Sequence, residues 1–510
     1  MFAQGQNTPL TLSPHRFKHV IVVVQENRTP DNLFQDLNPK CQGSVGNCYD
    51  ILPNGLVNGV CTSPGALANY GGTQPDPTNK CLWQGTIQTK LCLEPQKLTI
   101  NYDPNHTHCA FELMYNQGNM DGATRVPDNC GSGTCPKDPP ECPEYVHCLS
   151  YKYVDNSTGE IQPYLDIAKR YGWANRMFQT NQGPSYPAHQ FLFGGTSAPT
   201  DDDDIKANFA AENPRWHNKT ITKPVGCLAP SDEKVCVISP GGQKPVAPCI
   251  APGESPQGPL CSDQRTKTMA SMLENAIPKP TIPWKYYAPM PGSIWTAPNS
   301  ISKMCLPVVN GKCKGAPFKN HRVDFNLQDV VGDISDATCT KLAAVSWVIP
   351  DGRCSDHAKD NPPPHTTDGG PAWVASIVNA VGKSKCNYWK DTAILITWDD
   401  WGGWYDHVKP TILPGAQGDY QYGFRVPLLV VSAYTKPGTI SNTDLDFGSI
   451  LKFIERVFKT GSLGFADSRA ANGLEDFFNQ DFNPFVNIKA PPVPDYCIKS
   501  RHPAPPDDDD

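Results

Sequence analysis

The longest apolar run in the chain, Val20 to Val24, ends abruptly in polar residues, Gln25-Glu26-Asn27-Arg28. An unbroken β-branched run with no helical period fits a strand buried on both faces of a sheet. The same grammar returns late in the chain, where Thr392 to Trp398 closes on Asp399-Asp400. Trp284 to Ala288, Ala344 to Ile349 and Phe424 to Ser432 also read as strands. Helical spacing of apolar residues predicts helices over 161–172, 266–277, 371–382 and 447–458. Apolar strands alternating with helices predict an α/β layered core with a mostly parallel sheet.

Between these elements the pattern breaks down. Residues 38–150 and 200–265 are Pro/Gly-rich, and the first carries ten of the 20 Cys. They read as loop-like insertions on one core spanning 1–486, followed by a Pro/Asp-rich tail over 487–510 that is expected to be disordered. None of the close Cys pairs has the C-x2-C form of a zinc module, so disulfides are expected, and with them an oxidising compartment. The expected location is secreted or periplasmic. Met1 to Gly5 lack the basic-then-apolar pattern of an export leader, so export requires a leader already removed. No run of about 18 apolar residues exists, so no transmembrane helix is expected. The net charge of -7 argues against a phosphate-tracking nucleic-acid binder.

The two polar corners carry the chemistry. In open α/β sheets, ligands bind beyond the carboxyl ends of the strands. Adjacent acids after a strand are often only a solvated turn or a helix N-cap. Two such corners side by side, however, would gather Glu26, Asn27, Asp399 and Asp400. Three carboxylates in one place repel one another and call for a hard divalent cation. One such ion is expected, its identity left open. Gly402-Gly403, just beyond, allow close approach of the backbone.

These segments resemble the bacterial phosphoesterase family, which contains the non-haemolytic phospholipases C, their plant relatives and a group of acid phosphatases. Gln25-Glu26-Asn27-Arg28-Thr29-Pro30-Asp31-Asn32-Leu33-Phe34 is similar to its Q-E-N-R-S-F-D-x-x-F signature. Asp103-Pro104-Asn105-His106-Thr107 resembles D-P-x-H-S/T, and Trp398 to Val408 resembles Y-D-E/D-x-G-G-x-Y-D-H-V. Gly423 to Pro427 matches G-x-R-V-P, and Ser449 to Glu455 the S-I/V-L-K/R-F-I-E that follows. The resemblance implies an alkaline-phosphatase-like sheet with helices on both faces. It also implies a serine or threonine nucleophile beside a metal-type site. It places the nucleophile on Ser185, in Gln182-Gly183-Pro184-Ser185, with Thr180 the alternative if the loop is shifted. Leaving-group protonation falls to His106 and His365, the latter in a segment resembling H-P-S-H-D-x-x-x-G. His357, four residues from Asn361, is expected to be an exposed loop residue. Asp406 and His407 are expected to support the site from outside it. Phe447 stands where family members often carry histidine, and Trp398 where they carry tyrosine. Trp284, Trp295, Trp401, Trp404 and Tyr405 are divided between core packing and an apolar leaving-group pocket.

The reading is an exported hydrolase of phosphate esters, of phospholipase C or acid phosphatase type. Its partner is a phosphate-ester substrate, and its oligomeric state is left open. The alternative is a secreted binding protein that keeps the scaffold without the activity.

Overall fold

The computed structural model describes residues 16–37, 48–52, 56–59, 89–98, 100, 103–120, 122–123, 150–210, 224–230, 234–238, 257–259, 261, 267–276, 281–288, 291–325, 329–357, 369–415, 419–493 and 497. His365, much of both insertions and the acidic C-terminus lie outside the described residues.

The main sheet has eight strands: β1 (His19–Gln25), β2 (Gly172–Ala174), β3 (Trp284–Tyr287), β4 (Val323–Asp324), β5 (Val345–Val348), β6 (Thr392–Trp398), β7 (Leu428–Ser432) and β8 (Ile440–Ser441). Their order is β4-β3-β5-β1-β6-β7-β2-β8. Within this sheet only β7 runs against the rest. The mostly parallel α/β sheet expected from the sequence is therefore present. The strand expected from Phe424 begins instead at Leu428, after Pro427, which has no N–H for the ladder.

Six helices matter here: α1 (Pro30–Leu33), α2 (His108–Tyr115), α3 (Gln162–Arg170), α4 (Ser185–Gly194), α5 (Gly369–Lys383) and α6 (Phe447–Phe458). They cover both faces of the sheet. On one face, Phe193 of α4 packs on Trp284, Tyr286 and Trp347 at 5.9, 5.3 and 5.0 Å between ring centroids, and α4 packs on α6. On the other face, Tyr164 of α3 meets Trp398 at 5.1 Å, and α3 packs on α5. α6 occupies the range its periodicity predicts. Its N-terminus is fixed by a capping box between Asp446 and Ser449. Its end is a left-handed Lys459 at φ +55°.

The core holds β1 and β6 at its centre, with Val20 to Val24 fully buried. Each such side chain contributes about 2 kcal/mol by leaving water. A second, smaller apolar cluster gathers Phe111, Met114, Tyr151, Trp401, Tyr405 and Phe424. It gives the first insertion a packed base, including α2, where the sequence suggested only loop.

Disulfides join Cys227–Cys261, Cys305–Cys313, Cys339–Cys386 and Cys354–Cys497. The segment after 487 is not simply free. Ile488 is buried, its N–H donates to Asn379 Oδ1 at 2.9 Å, and Cys497 is bonded to Cys354. Among the described residues, no helix is long and apolar enough to cross a membrane.

Candidate active site

β1 and β6 pair in parallel from His19↔Thr392 to Gln25↔Trp398, so both strands end at the same level. Residues almost four hundred positions apart in the chain thereby become neighbours. The ladder continues into the corner, where Asp399 N–H donates to Gln25 O at 2.9 Å. Asp399 Oδ1 then accepts from Asn27 N at 3.0 Å and from Asp400 N at 2.7 Å. Arg28 N–H donates to Asp400 O at 3.0 Å. The chain turns sharply, with Asn27 at φ +60° and Gly402 at φ +61°. A Cβ on Gly402 would lie 2.4 Å from the Asn27 carbonyl oxygen, so the two corners touch backbone to backbone.

α4 delivers Ser185 to this corner as its first residue. Ser185 Oγ lies 3.2 Å from Asp400 Oδ2 and 3.4 Å from Glu26 Oε2. The partial positive charge of the helix N-terminus favours negative charge at that oxygen. His189, one turn later on the same face, brings Nε2 to 3.1 Å from Glu26 Oε1 and 3.6 Å from Asp399 Oδ2. Sequence reasoning missed His189, although its i+4 spacing from Ser185 was available. It also missed Gln179, whose Oε1 accepts from Trp401 N at 3.1 Å and whose Nε2 donates to Asn181 O and Gly183 O. Gln179 thus ties the serine loop to the loop beyond β6. Thr180 is turned elsewhere: its hydroxyl donates to Asp446 Oδ2 at 2.9 Å, at the N-terminus of α6.

A second group of polar side chains borders the first. His106 donates its Nδ1 proton to Pro104 O at 2.8 Å, which leaves Nε2 facing Asn27 Nδ2 at 3.4 Å. His357 is not exposed as the sequence suggested. It is buried, its ring lies 6.2 Å from that of His106, and its Nε2 is 3.8 Å from Asp103 Oδ2. Its proline-rich surroundings read as surface loop, whereas β5 and the turn after it carry it inward. Trp295 lies 6.5 Å from the His189 ring and 6.2 Å from the His357 ring.

Glu26, Asp399 and Asp400 are fully buried. Ligand atoms of Glu26, His189 and Asp399 fall within 4.8 Å of one another. At that separation the Glu26 and Asp399 carboxylates, both ionised, repel by about 3 kcal/mol at an effective dielectric of 20. Asn27 Oδ1 and Asp399 Oδ2 are buried with no hydrogen-bond partner among the described residues. Crowded carboxylates, an imidazole and orphaned oxygens form a donor set that fits a divalent cation.

Beyond this shell, Asp406 and His407 are engaged in ion pairs. Arg425 donates to both oxygens of Asp406 at 2.8 and 3.0 Å, and its Nη1 reaches Asn175 O at 2.7 Å. His407 lies 2.7 Å from Asp31 Oδ2 and 3.2 Å from Asp50 Oδ1. Burial opposes its charge, but Asp31 and Asp50 raise its pKa to about 10. This network links the segments after β1, after β6 and before the serine loop to the first insertion. Phe447 is buried in the core, and Trp398 donates its Nε1 proton to Asp356 at 2.9 Å. Of the aromatic residues, Trp284 packs on the sheet, Trp404 faces Arg28 at 5.2 Å and Tyr405 meets Tyr151 at 5.1 Å. Trp401 lies 6.1 Å from the His106 ring, so it and Trp295 are the two beside the site.

A family model described as the Phosphoesterase family matches residues 17–461, which takes in both strand corners, the serine loop and α6. The chain belongs to the phosphoesterase family. Among curated members, it is similar to a non-hemolytic phospholipase C of Burkholderia pseudomallei, 30% identical over 25% of this chain and 20% of that protein. It is also similar to the non-specific phospholipase C6 of Arabidopsis thaliana, 29% identical over 28% of this chain and 31% of that one. The matched stretches thus cover under a third of each relative's length. A solved structure, Ps i-CgsB in complex with k-i-k-neocarrahexaose, overlays 64% of this chain and 72% of its own at TM-score 0.32 and 12% identity, too loosely to bear on the phosphoesterase.

Proposed function

We propose that this protein hydrolyses phosphate esters, with Ser185 as nucleophile and a divalent cation held by Glu26, Asn27 and Asp399 together with His189 and Asp400. The observation that carries the reading is the position of Ser185 Oγ, 3.2 Å from Asp400 and 3.4 Å from Glu26 at a helix N-terminus. A serine hydroxyl is a poor nucleophile at neutral pH and needs a partner that stabilises its alkoxide. The cation, when bound, supplies positive charge for that alkoxide and for the phosphoryl oxygens.

The chain's own residues supply the rest. Asp400 Oδ2 accepts the serine proton as Oγ attacks phosphorus in line. The P–O bond to the leaving group breaks as the Ser185–phosphorus bond forms. The Asn27 amide, in the corner that also holds Glu26, donates an N–H to a phosphoryl oxygen. His357, or His106 once its Nε2 is also protonated, protonates the departing oxygen, and water then attacks the phosphoserine to release phosphate or a phosphomonoester. His189 Nε2 completes the donor set beside Glu26 and Asp399. The same core architecture is proposed to be alkaline-phosphatase-like. The disulfides support export to an oxidising compartment.

The relatives are named phospholipases C, which supports a phosphodiester in a lipid as one substrate class; small phosphomonoesters are the other. Turnover of a chromogenic phosphate monoester and of phosphatidylcholine, comparing wild type with Ser185→Ala, tests the reading. Wild type is expected to turn over at least one of them. Ser185→Ala is expected to lose about 1,000-fold or more in kcat while remaining folded. Undiminished turnover by Ser185→Ala would remove the serine from the mechanism.

A further inference from the structure

Behind the site, on the face covered by α3 and α5, lies a fully buried carboxylate that the chemistry above does not use. Asp356 Oδ2 accepts hydrogen bonds from the Tyr164 hydroxyl at 2.8 Å and from Trp398 Nε1 at 2.9 Å. Its backbone N–H donates to Gln25 Oε1 at 2.9 Å, and its carbonyl accepts from Arg28 Nε at 2.9 Å. Gln25 Nε2 also reaches Cys354 O at 3.3 Å, within the same turn. The first turn of α5 closes over the other carboxylate oxygen. A Cβ on Gly370 would stand 1.9 Å from Asp356 Oδ1, so a side chain there would displace it.

Four residues of this hub are chain neighbours of site residues, Tyr164 on α3 being the exception. Gln25 precedes Glu26, Arg28 follows Asn27, Trp398 precedes Asp399 and Asp356 precedes His357. Successive residues at the end of a strand point to opposite sides of a sheet. Gln25 and Trp398, at the ends of paired strands, therefore face the rear while Glu26 and Asp399 face the front, and the backbone of residue 356 ties Gln25 and Arg28 to the turn that carries His357. The carboxylate is the acceptor that joins β6 and α3 to the turn after β5, and its backbone joins that turn to β1.

We propose that the Asp356 carboxylate is a positioning group for phosphate-ester hydrolysis: its bonds to Trp398 and Tyr164 hold Asp399 and His357 in register and fix the turn whose backbone bonds to Gln25 and Arg28 place Glu26 and Asn27. The inference rests on the function proposed above, and its test separates the two. In Asp356→Ala, kcat on a chromogenic phosphate monoester is expected to fall about 100-fold with KM changed by less than about threefold. Asp356→Asn keeps an acceptor oxygen for Tyr164 and Trp398 and is expected to stay within about tenfold of wild type. Wild-type kcat in the alanine variant, or an asparagine variant as slow as alanine, would overturn the proposal. Should Asp356→Ala fail to fold, Tyr164→Phe and Trp398→Phe each remove one donor; each is expected to lower kcat about tenfold at unchanged KM. No loss in either would overturn it equally. Backbone hydrogen exchange supplies a readout that needs no turnover. Relative to wild type, Asp356→Asn is expected to leave exchange over 24–28 and 352–357 unchanged, while Asp356→Ala or the Phe variants accelerate it there and not in α6. Unchanged exchange at both segments in the Ala and Phe variants would refute the hub, whereas a wild type without turnover would refute only the proposed function.

Discussion

Gly402→Ala tests how closely the two strand corners must fit. In the native turn Gly402 has φ +61°, a conformation that costs an L-residue roughly 1–2 kcal/mol. The added Cβ would lie 2.4 Å from the Asn27 carbonyl oxygen, 2.5 Å from its Cβ and 2.8 Å from its carbonyl carbon. Ordinary contact begins near 3.4 Å, so Asn27 or the Asp400 loop must retreat by about 1 Å. Those contacts are backbone atoms and a Cβ, which cannot rotate out of the way. Together the backbone strain and the overlap should cost about 2–4 kcal/mol of stability, a large part of what a typical domain possesses. Activity should suffer more. A displacement of about 1 Å at a reacting centre costs about 100-fold in rate. The variant should therefore unfold at a lower temperature and, where still folded, hydrolyse a chromogenic phosphate monoester about 100-fold more slowly. Gly403→Ala is the companion. Its Cβ would meet Pro104 Cβ at 2.6 Å and Asn105 O at 2.8 Å, so it should displace the segment bearing His106 and leave Asn27 in place. A Gly402→Ala enzyme with wild-type kcat and melting temperature would refute the close-fit reasoning.

Two further tests follow from the same geometry. His357→Asn is expected to slow turnover of alkyl phosphates more than that of nitrophenyl phosphate, because a good leaving group needs no proton; equal loss on both would exclude a general-acid role for this histidine. For His407, the folded pKa of about 10 lies above the ordinary 6.5. The stability it contributes is therefore fully present below about pH 6.5 and lost as pH rises through about 10. The melting-temperature gap between wild type and His407→Gln should be widest near pH 6 and close toward pH 10, and a gap that stays constant would contradict the ion-pair assignment.

Much of the fold was legible because its central strands are extreme. A run such as Val20 to Val24 is consistent with little else than a strand buried on both faces, and α6 was legible because its apolar residues keep a helical spacing throughout. The short strands at and near the sheet edges, β2, β4 and β8, of two or three residues, carry no period to read. At the site, Glu26, Asn27, Asp399 and Asp400 were visible because both corners interrupt apolar runs. Ser185 was visible only through a family resemblance, since a serine in a Gly/Pro loop is ordinarily a turn residue. His189 was hidden inside a helix with no polar face to mark it, as all ten residues of α4 are buried. His357 was hidden by composition: its Pro-rich neighbourhood suggests surface, while a hydrogen bond donated to Gln25 Oε1 and one accepted from Arg28 hold the preceding residue in the interior. Tertiary hydrogen bonds of this kind leave no local trace in a sequence.

The most direct test of the central claim, that buried carboxylates hold a cation against Ser185, is metal analysis of the purified protein joined to turnover before and after chelation. Bound divalent metal should be found in wild type and be depleted in Asp399→Asn. Turnover should vanish on chelation and return when the ion is restored. Full turnover by protein freed of metal would contradict the account.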